Sequence, residues 1–366
     1  MNSARAAIVT TLRNAGDVLD SFIDYHLGIG FSHFYLFFDD ANDPDLSRAA
    51  AHPAVTAIAH DSNLRNRWRE LPQYPEQSAF LGREVMARQV LNTELAMEMA
   101  RADGFAWLLH IDSDELFYSP FESAAAHFES LENQPLETVQ YMNYEAVPER
   151  DEIGDFFREV DLFKVPPHLN PRKVTWDLVE AVRRMPQLHP NFFNFYASGK
   201  SAVRLSAAAM RPTGVHHFVR PDKRWEAGQS NRHFVLHYAC CGFENFWTKY
   251  VTLGRFADQW WEKYDIANLV GRFHLEARDI VATGEREAAR AFYRNRVSIQ
   301  DNERINELLA LGVLSRFPQP RQILLGPSSS PLEGGGRQEI AGGDLSPTGG
   351  APARKNYART GAPGEG

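Results

Sequence analysis

Cysteine is almost missing from this 366-residue chain: only Cys240 and Cys241 occur, and residues adjacent in sequence rarely reach disulfide geometry. That excludes a disulfide framework and gives a reducing compartment as the expectation. Long apolar runs are missing too. No stretch approaches the roughly 20 apolar residues that a membrane helix needs, so no integral membrane segment is expected. The apolar run Ala6 to Leu12 is too short for a secretory leader and soon reaches Arg13-Asn14, which makes the expected location cytoplasmic. An excess of positive charge is likewise absent. The net charge of −8 argues against a nucleic-acid partner, because binding a phosphate backbone calls for a dominant basic surface. Neither a Gly-x-x-x-x-Gly-Lys-Ser/Thr loop nor a Ser-centred nucleophile elbow occurs, so NTPase and α/β-hydrolase chemistry lack their usual signatures.

What is present is a chain with 43% apolar residues, enough to bury a large core. Ala6 to Leu12, His33 to Phe38, Val55 to Ala59 and Phe105 to Ile111 read as buried strands. Between them, Val18, Leu19, Phe22, Ile23 and Tyr25 to Leu27 form a helical stripe closed by Gly28 and Gly30, and a long helix is expected from about Gly82 to Ala102. Strands alternating with helices imply a sheet whose carboxyl edge carries the ligands. Asp39-Asp40 and Asp112-Asp114 both fall at such strand ends. The segment from Gly326 to Gly366 holds 11 of the 25 glycines and 5 of the 21 prolines, a composition that cannot bury enough surface to offset its ordering entropy, so a disordered tail is expected there.

In Ile111-Asp112-Ser113-Asp114-Glu115-Leu116-Phe117, two carboxylates one residue apart follow a buried strand. Both can face one cation while the backbone turns, and such oxygen ligands suit Mg²⁺ or Mn²⁺ held jointly with phosphates. The bland alternative is an acidic turn that caps the next helix. Downstream, Gly199 to Arg255 holds nine basic residues against three acidic ones, with His216, His217, His233 and His237. This reads either as a cationic wall for a leaving diphosphate or as a solvated basic face. His237 ends the strand-like Phe234-Val235-Leu236 and is a candidate imidazole beside the carboxylates. Trp247, with Phe243, Phe246 and Tyr250, reads as a packed helical stripe.

Thr11-Leu12-Arg13-Asn14, Phe22 to Gly30 and Tyr35-Leu36-Phe37-Phe38-Asp39-Asp40 together resemble the opening of family 2-like and family 92-like (DUF23-like) glycosyltransferases. The resemblance continues through Arg88-Gln89 and the Asp-x-Asp-Glu box at Trp107 to Phe117. It resumes at Asn143 to Pro148, Leu162-Phe163-Lys164, Gly199 to Arg204 and His237-Tyr238 with Phe246 and Lys249, covering roughly Ile8 to Arg255. Where the family commonly places an acidic residue after the asparagine of the first loop, this chain has Ala15, with Asp17 close by.

The resemblance implies a GT-A fold: an α/β, Rossmann-like mixed sheet flanked by helices over 1–255, a helical C-terminal extension over 256–325, and the tail over 326–366. It implies a metal-dependent transfer from a nucleotide-diphosphate sugar to a carbohydrate or other hydroxyl acceptor, with inversion. Asp112, Asp114 and His237 would hold Mn²⁺ or Mg²⁺. Arg13, Asn14 and Asp39 would line the nucleoside pocket, and Lys200 and Lys249 would face the phosphates. Glu145, after the strand-like Thr138 to Tyr141, is the candidate base, with Glu115 in reserve. Two other readings use the same residues: a different metal-dependent nucleotide-processing enzyme, and a non-catalytic nucleotide-sugar-binding protein.

Overall fold

Four apolar segments of the N-terminal third, each followed by polar turn residues, pair as parallel strands in a computed structural model of the chain, which describes residues 5–166, 193–196, 198–207, 209–222 and 224–326. These are β1 (Ala6–Leu12), β2 (His33–Phe38), β3 (Val55–Ala59) and β4 (Trp107–His110), in spatial order β3-β2-β1-β4. All seven residues of β1 are buried, as expected for parallel strands covered on both faces. Alternate residues serve two cores. Ala6, Ile8 and Leu12 join Phe34, Leu36 and Leu109 on one face, while Ala7 and Val9 join Tyr35, Phe37 and Leu108 on the other. The helix Val18–Gly28 packs on the first face and the helix Val85–Ala102 on the second.

Beyond β4 the sheet turns antiparallel. The strands are β5 (Glu115–Tyr118), β6 (Thr138–Ala146), β7 (Leu162–Lys164), β8 (Lys200–Arg204), β9 (Ala227–His237) and β10 (Leu314–Arg316). The full order is β10-β7-β6-β8-β4-β1-β2-β3, with β9 lying parallel to β6 and antiparallel to β5. The result is a ten-stranded mixed sheet flanked by helices.

Gly199 makes the entry into β8 possible. Its φ is +67°, and a Cβ there would lie 2.0 Å from the Tyr141 carbonyl oxygen and 2.8 Å from Met142 Cα, so only glycine lets β8 run this close to β6. Residues 256–325, expected to be helical, include the helices Phe273–Ala282, Arg286–Arg296 and Asn302–Ala310 and also supply the edge strand β10. Met1–Pro327 makes up one compact unit. Of the tail expected over 326–366, all but Gly326 lies outside the described residues. Among the described residues no helix is long and apolar enough to cross a membrane.

The long helix begins at Val85 rather than near Gly82, because Arg83 and Glu84 are taken up in a turn closed onto the Phe80 carbonyl. The strand expected over Phe105 to Ile111 is trimmed to Trp107–His110, whereas the one expected over Thr138 to Tyr141 runs on to Ala146.

Candidate active site

The carboxyl ends of β1, β2 and β4 lie side by side, and one face of the helix Val85–Ala102 holds all three. Arg88 clamps Asp39 with Nε at 2.5 Å from Oδ1 and Nη2 at 2.7 Å from Oδ2. Gln89 Nε2 donates to Asp112 Oδ1 at 2.7 Å, and Asn92 Nδ2 donates to Thr11 Oγ1 at 2.9 Å. Positions 88, 89 and 92 share one helical face, so the helix sets the spacing of the strand ends.

After β4 the chain turns through Asp112-Ser113-Asp114, and the Glu115 amide bonds back to the Asp112 carbonyl. The Asp112 and Asp114 side chains keep 26% and 23% exposure, so a solute can reach them. Lys200 Nζ lies 2.6 Å from Asp112 Oδ2 and Lys249 Nζ lies 2.9 Å from Asp114 Oδ2. His237 Nε2 is 3.9 Å from the same Asp114 oxygen. Lys200 is placed by Gly199. Lys249 is placed by the helix Phe243–Leu253, whose preceding residue Gly242 has a φ of +92° and sits against Ile153, where a Cβ would lie 3.1 Å from both Ile153 Cβ and its carbonyl. His237 ends β9, opposite Glu115 of β5 and Glu145 of β6.

Electrostatics sort the cluster. Burial alone would raise the Asp112 carboxyl, but Lys200 and then His110 outweigh it and hold the group well below the usual carboxylate range. Asp114 is lowered in the same way, burial being overcome by Lys249 and His237. Glu115 goes the other way. Burial raises it well above the ordinary value, and Asp112 and Asp114 add to the rise against Lys200. Its Oε2 accepts the Asp112 amide at 2.7 Å, while its buried Oε1 has no hydrogen-bond partner. Burial also pushes His237 down to about 4 despite Asp114, so the ring is neutral and able to ligate. Tyr196 stacks on it, with ring centroids 4.8 Å apart, and its buried Nδ1 has no partner.

Two carboxylates and a neutral, partly unpartnered imidazole make a donor set that fits a small divalent cation. The two lysines already neutralise the carboxylates, so a cation entering here displaces at least one ammonium group.

The other expected residues divide. Arg13 forms an exposed ion pair with Asp40 at 3.1 Å, and Asn14, at φ +50°, donates its amide to Asp43 at 2.6 Å. Both lie in the loop after β1, on the same edge as Asp39. Glu145 is neither a surface glutamate nor an open base. It is 3% exposed, Lys164 Nζ lies 2.5 Å from Oε1, and the amides of Asn194 and Phe195 donate to Oε1 and Oε2 at 3.0 and 2.8 Å. The basic stretch does not form one wall. Arg204 pairs with Glu132 and stacks on Trp107, Arg211 pairs with Glu76 and Arg220 with Glu137, and Lys223 lies outside the described residues. Among the described residues of the stretch, Lys200 and Lys249 are the two that pair with the acidic box. His216 hydrogen-bonds the Gly199 carbonyl at 2.8 Å, and His233 belongs to a separate group with Glu122 and His127. Trp247 packs against Phe243, as its helical spacing implied. Sequence reasoning missed the pairing of Gln89 with Asp112 and that of Arg88 with Asp39; an i, i+1, i+4 polar set on an otherwise apolar helix face was the available signal.

No family model matches the chain. Two Arabidopsis thaliana proteins, Glycosyltransferase-like At2g41451 and Glycosyltransferase-like At3g57200, are 30% and 29% identical to it over 86% of its length. The chain spans 71% of the first relative and 62% of the second. Among solved structures, Staphylococcus aureus TarS 1–349 superposes with a TM-score of 0.32 at 10% identity, covering 84% of this chain and 81% of that one. Core-mannan synthase A of Aspergillus fumigatus, in an Mn/GDP form, gives 0.26 at 12% identity over 56% and 61%. Both superpositions are loose, and the sequence relationship is what places the protein. With 30% identity running through 71% of a relative, the chain belongs to the glycosyltransferase-like family, and its helix-flanked mixed sheet is the architecture that the GT-A resemblance implied.

Proposed function

We propose that the protein transfers a sugar from a nucleotide-diphosphate donor to a hydroxyl of a carbohydrate or other acceptor, with a divalent cation and with inversion. The observation that carries this reading is the convergence of Lys200, His237 and Lys249, from three distant segments, on the Asp112-Ser113-Asp114 turn at a strand end. Asp112, Asp114 and His237 are the residues to hold Mn²⁺ or Mg²⁺, which when bound neutralises charge on a departing diphosphate. Lys200 and Lys249 exchange their carboxylate partners for phosphate oxygens and stabilise the same charge. Arg13, Asn14 and Asp39 border the nucleoside at the ends of β1 and β2, with Asp39 oriented by Arg88.

Inversion requires the acceptor oxygen to attack the anomeric carbon from the face opposite the leaving diphosphate while a carboxylate takes its proton. Both carboxylates are buried, Glu115 at 0% and Glu145 at 3% exposure, and Glu115 suits that role better by its free oxygen. Its pKa is raised and one of its oxygens is unpartnered, whereas both oxygens of Glu145 are committed to Lys164 and the 194–195 backbone. Glu145 then positions Phe195 and Tyr196 against His237.

The test is a thermal-shift panel of nucleoside diphosphates and nucleotide sugars with and without Mn²⁺. One nucleotide series stabilises the protein, more strongly with the cation, and its sugar conjugate is consumed when an acceptor is added. Nucleotide turnover without any acceptor would point to nucleotidyl or phosphohydrolase chemistry instead. Stabilisation without turnover would point to a binding protein.

A further inference from the structure

The described residues hold another group of metal-ligating side chains, apart from the acidic turn. Glu122 lies in the loop after β5, His127 in the helix Ala124–Glu132, and His233 in β9. One ligand atom from each lies within 4.8 Å of the other two. His127 and His233 are 4% and 3% exposed, with ring centroids 3.8 Å apart, while the Glu122 side chain keeps 31% exposure and opens the group to solvent. We propose that Glu122, His127 and His233 form a metal site for a borderline divalent ion of the Zn²⁺ class, separate from the cation site of the acidic turn.

Two observations carry the assignment. First, His233 Nε2 is buried without a hydrogen-bond partner and faces Glu122 Oε1 at 3.2 Å. A buried polar atom left in this state calls for a partner, and a cation between the two supplies one. Second, each ring is already oriented by a hydroxyl on one of its nitrogens. Ser230 Oγ lies 3.0 Å from His233 Nδ1, and the Tyr141 hydroxyl lies 2.8 Å from His127 Nε2. Outer partners of this kind fix ligating imidazoles in metal sites.

Ligand atoms around a tetrahedral Zn²⁺ lie roughly 3.4 Å apart, given bonds of about 2.0–2.1 Å. The His233–Glu122 separation already meets that figure, and a swing of the partly exposed Glu122 side chain closes the remainder. Two imidazoles and one carboxylate favour Zn²⁺ or Co²⁺ over the hard Mg²⁺, and they leave a fourth position for water. The three ligands tie a loop and a helix to β9 at the point where its pairing with β6 is interrupted, between Ser230 and Val235. His237 lies four residues further along the same strand, so the ion braces the strand that delivers it. One charge opposes the ion: Arg232, whose guanidinium lies 5.2 Å from the Phe121 ring centroid beside the site.

The experiment titrates chelator-stripped full-length protein with Co²⁺, read by its visible absorption, and with Zn²⁺, read calorimetrically. The background carries Asp112→Asn and Asp114→Asn, so that the acidic turn contributes nothing. One saturable equivalent is expected, with the intense visible bands of four-coordinate Co²⁺. Affinity falls tenfold or more in Glu122→Gln and in His233→Ala, and rises in Arg232→Gln. Glu122→Gln alters a partly exposed side chain and keeps the test decisive should His233→Ala fail to fold. No saturable binding in the background protein, or affinity unchanged in Glu122→Gln, overturns the assignment.

Discussion

Lys249 Nζ lies 2.9 Å from Asp114 Oδ2 across 135 residues of chain, and Lys200 Nζ lies 2.6 Å from Asp112 Oδ2 across 88. Each aspartate of the acidic box thus meets a lysine on a different element, and both lysines are held charged: burial, which would lower them, is outweighed by the carboxylates. With ligand absent the two pairs are balanced. Under the proposed function, a diphosphate would bring negative charge that takes over the lysines and frees the carboxylates for a cation, so nucleotide and metal should bind cooperatively.

Lys249→Met removes one half of that exchange. The affinity for a nucleoside diphosphate in the presence of Mn²⁺ is expected to fall tenfold or more, since a charge-assisted contact to phosphate is lost. Isothermal titration of parent and variant checks this, and equal affinities would remove Lys249 from the donor site.

Glu115 and Glu145 are separable by variants. Glu115→Gln should lower transfer on the order of 10²-fold or more while nucleotide affinity stays near the parent value, as loss of a general base requires. Glu145→Gln should chiefly lower the melting temperature, because it removes the carboxylate that lies 2.5 Å from the buried Lys164 ammonium. Transfer lost in Glu145→Gln at unchanged stability, with Glu115→Gln active, would reverse the two roles.

Gly199→Ala places a Cβ 2.0 Å from the Tyr141 carbonyl at a φ of +67°. The left-handed backbone alone costs about 1–2 kcal/mol, and the overlap with β6 adds to it. The urea midpoint should drop clearly, with nucleotide affinity falling as Lys200 shifts. A midpoint equal to the parent's would show that β8 can move away from β6.

His26 sets a pH dependence. Its Nδ1 is 2.8 Å from the Phe22 carbonyl and its Nε2 accepts the Phe117 amide at 3.0 Å, so the native ring is neutral. Burial pushes its pKa down to about 3, against the Phe22 carbonyl, which raises it. The unfolded chain therefore takes up the proton first. Stability is unaffected by the ring above ~6.5 and is lost as pH falls from there toward 3, the loss reaching about 2 kcal/mol at pH 5. Urea unfolding at pH 7.5 and 5.0 should show a smaller loss in His26→Gln than in the parent. Identical losses would mean that the ring protonates in place.

Much of the parallel half was legible in the sequence, for a physical reason. Strands buried on both faces read as continuous apolar runs, as Ala6–Leu12 and His33–Phe38 do, and these two and the half-buried edge strand Val55–Ala59 have the expected bounds. The antiparallel half was less so. β5 is four residues long and starts inside the acidic box, and the first half of β9, Ala227 to Arg232, is polar and largely exposed. The strand-end placement of Asp112 and Asp114 followed from the apolar run before them. Their lysine partners were nominated by resemblance alone, since contacts spanning 88 and 135 residues leave no spacing signal. The commitments of Glu145 were invisible for the same reason: its partners lie at 194 and 195, and in β7. His127 and His233 meet only through the pairing of β9 with β5 and β6.

The central claim is one cation held by Asp114, with Asp112 and His237, against a nucleoside diphosphate. Titrating the matching nucleoside diphosphate with Mn²⁺ into parent and Asp114→Asn protein tests it most directly, with the apo melting temperature as the control for folding. The account predicts that the parent binds the nucleotide in a Mn²⁺-dependent manner, and that Asp114→Asn loses that dependence while its apo melting temperature stays close to the parent's. Mn²⁺-dependent binding by Asp114→Asn at the parent's affinity would contradict it and place the cation elsewhere.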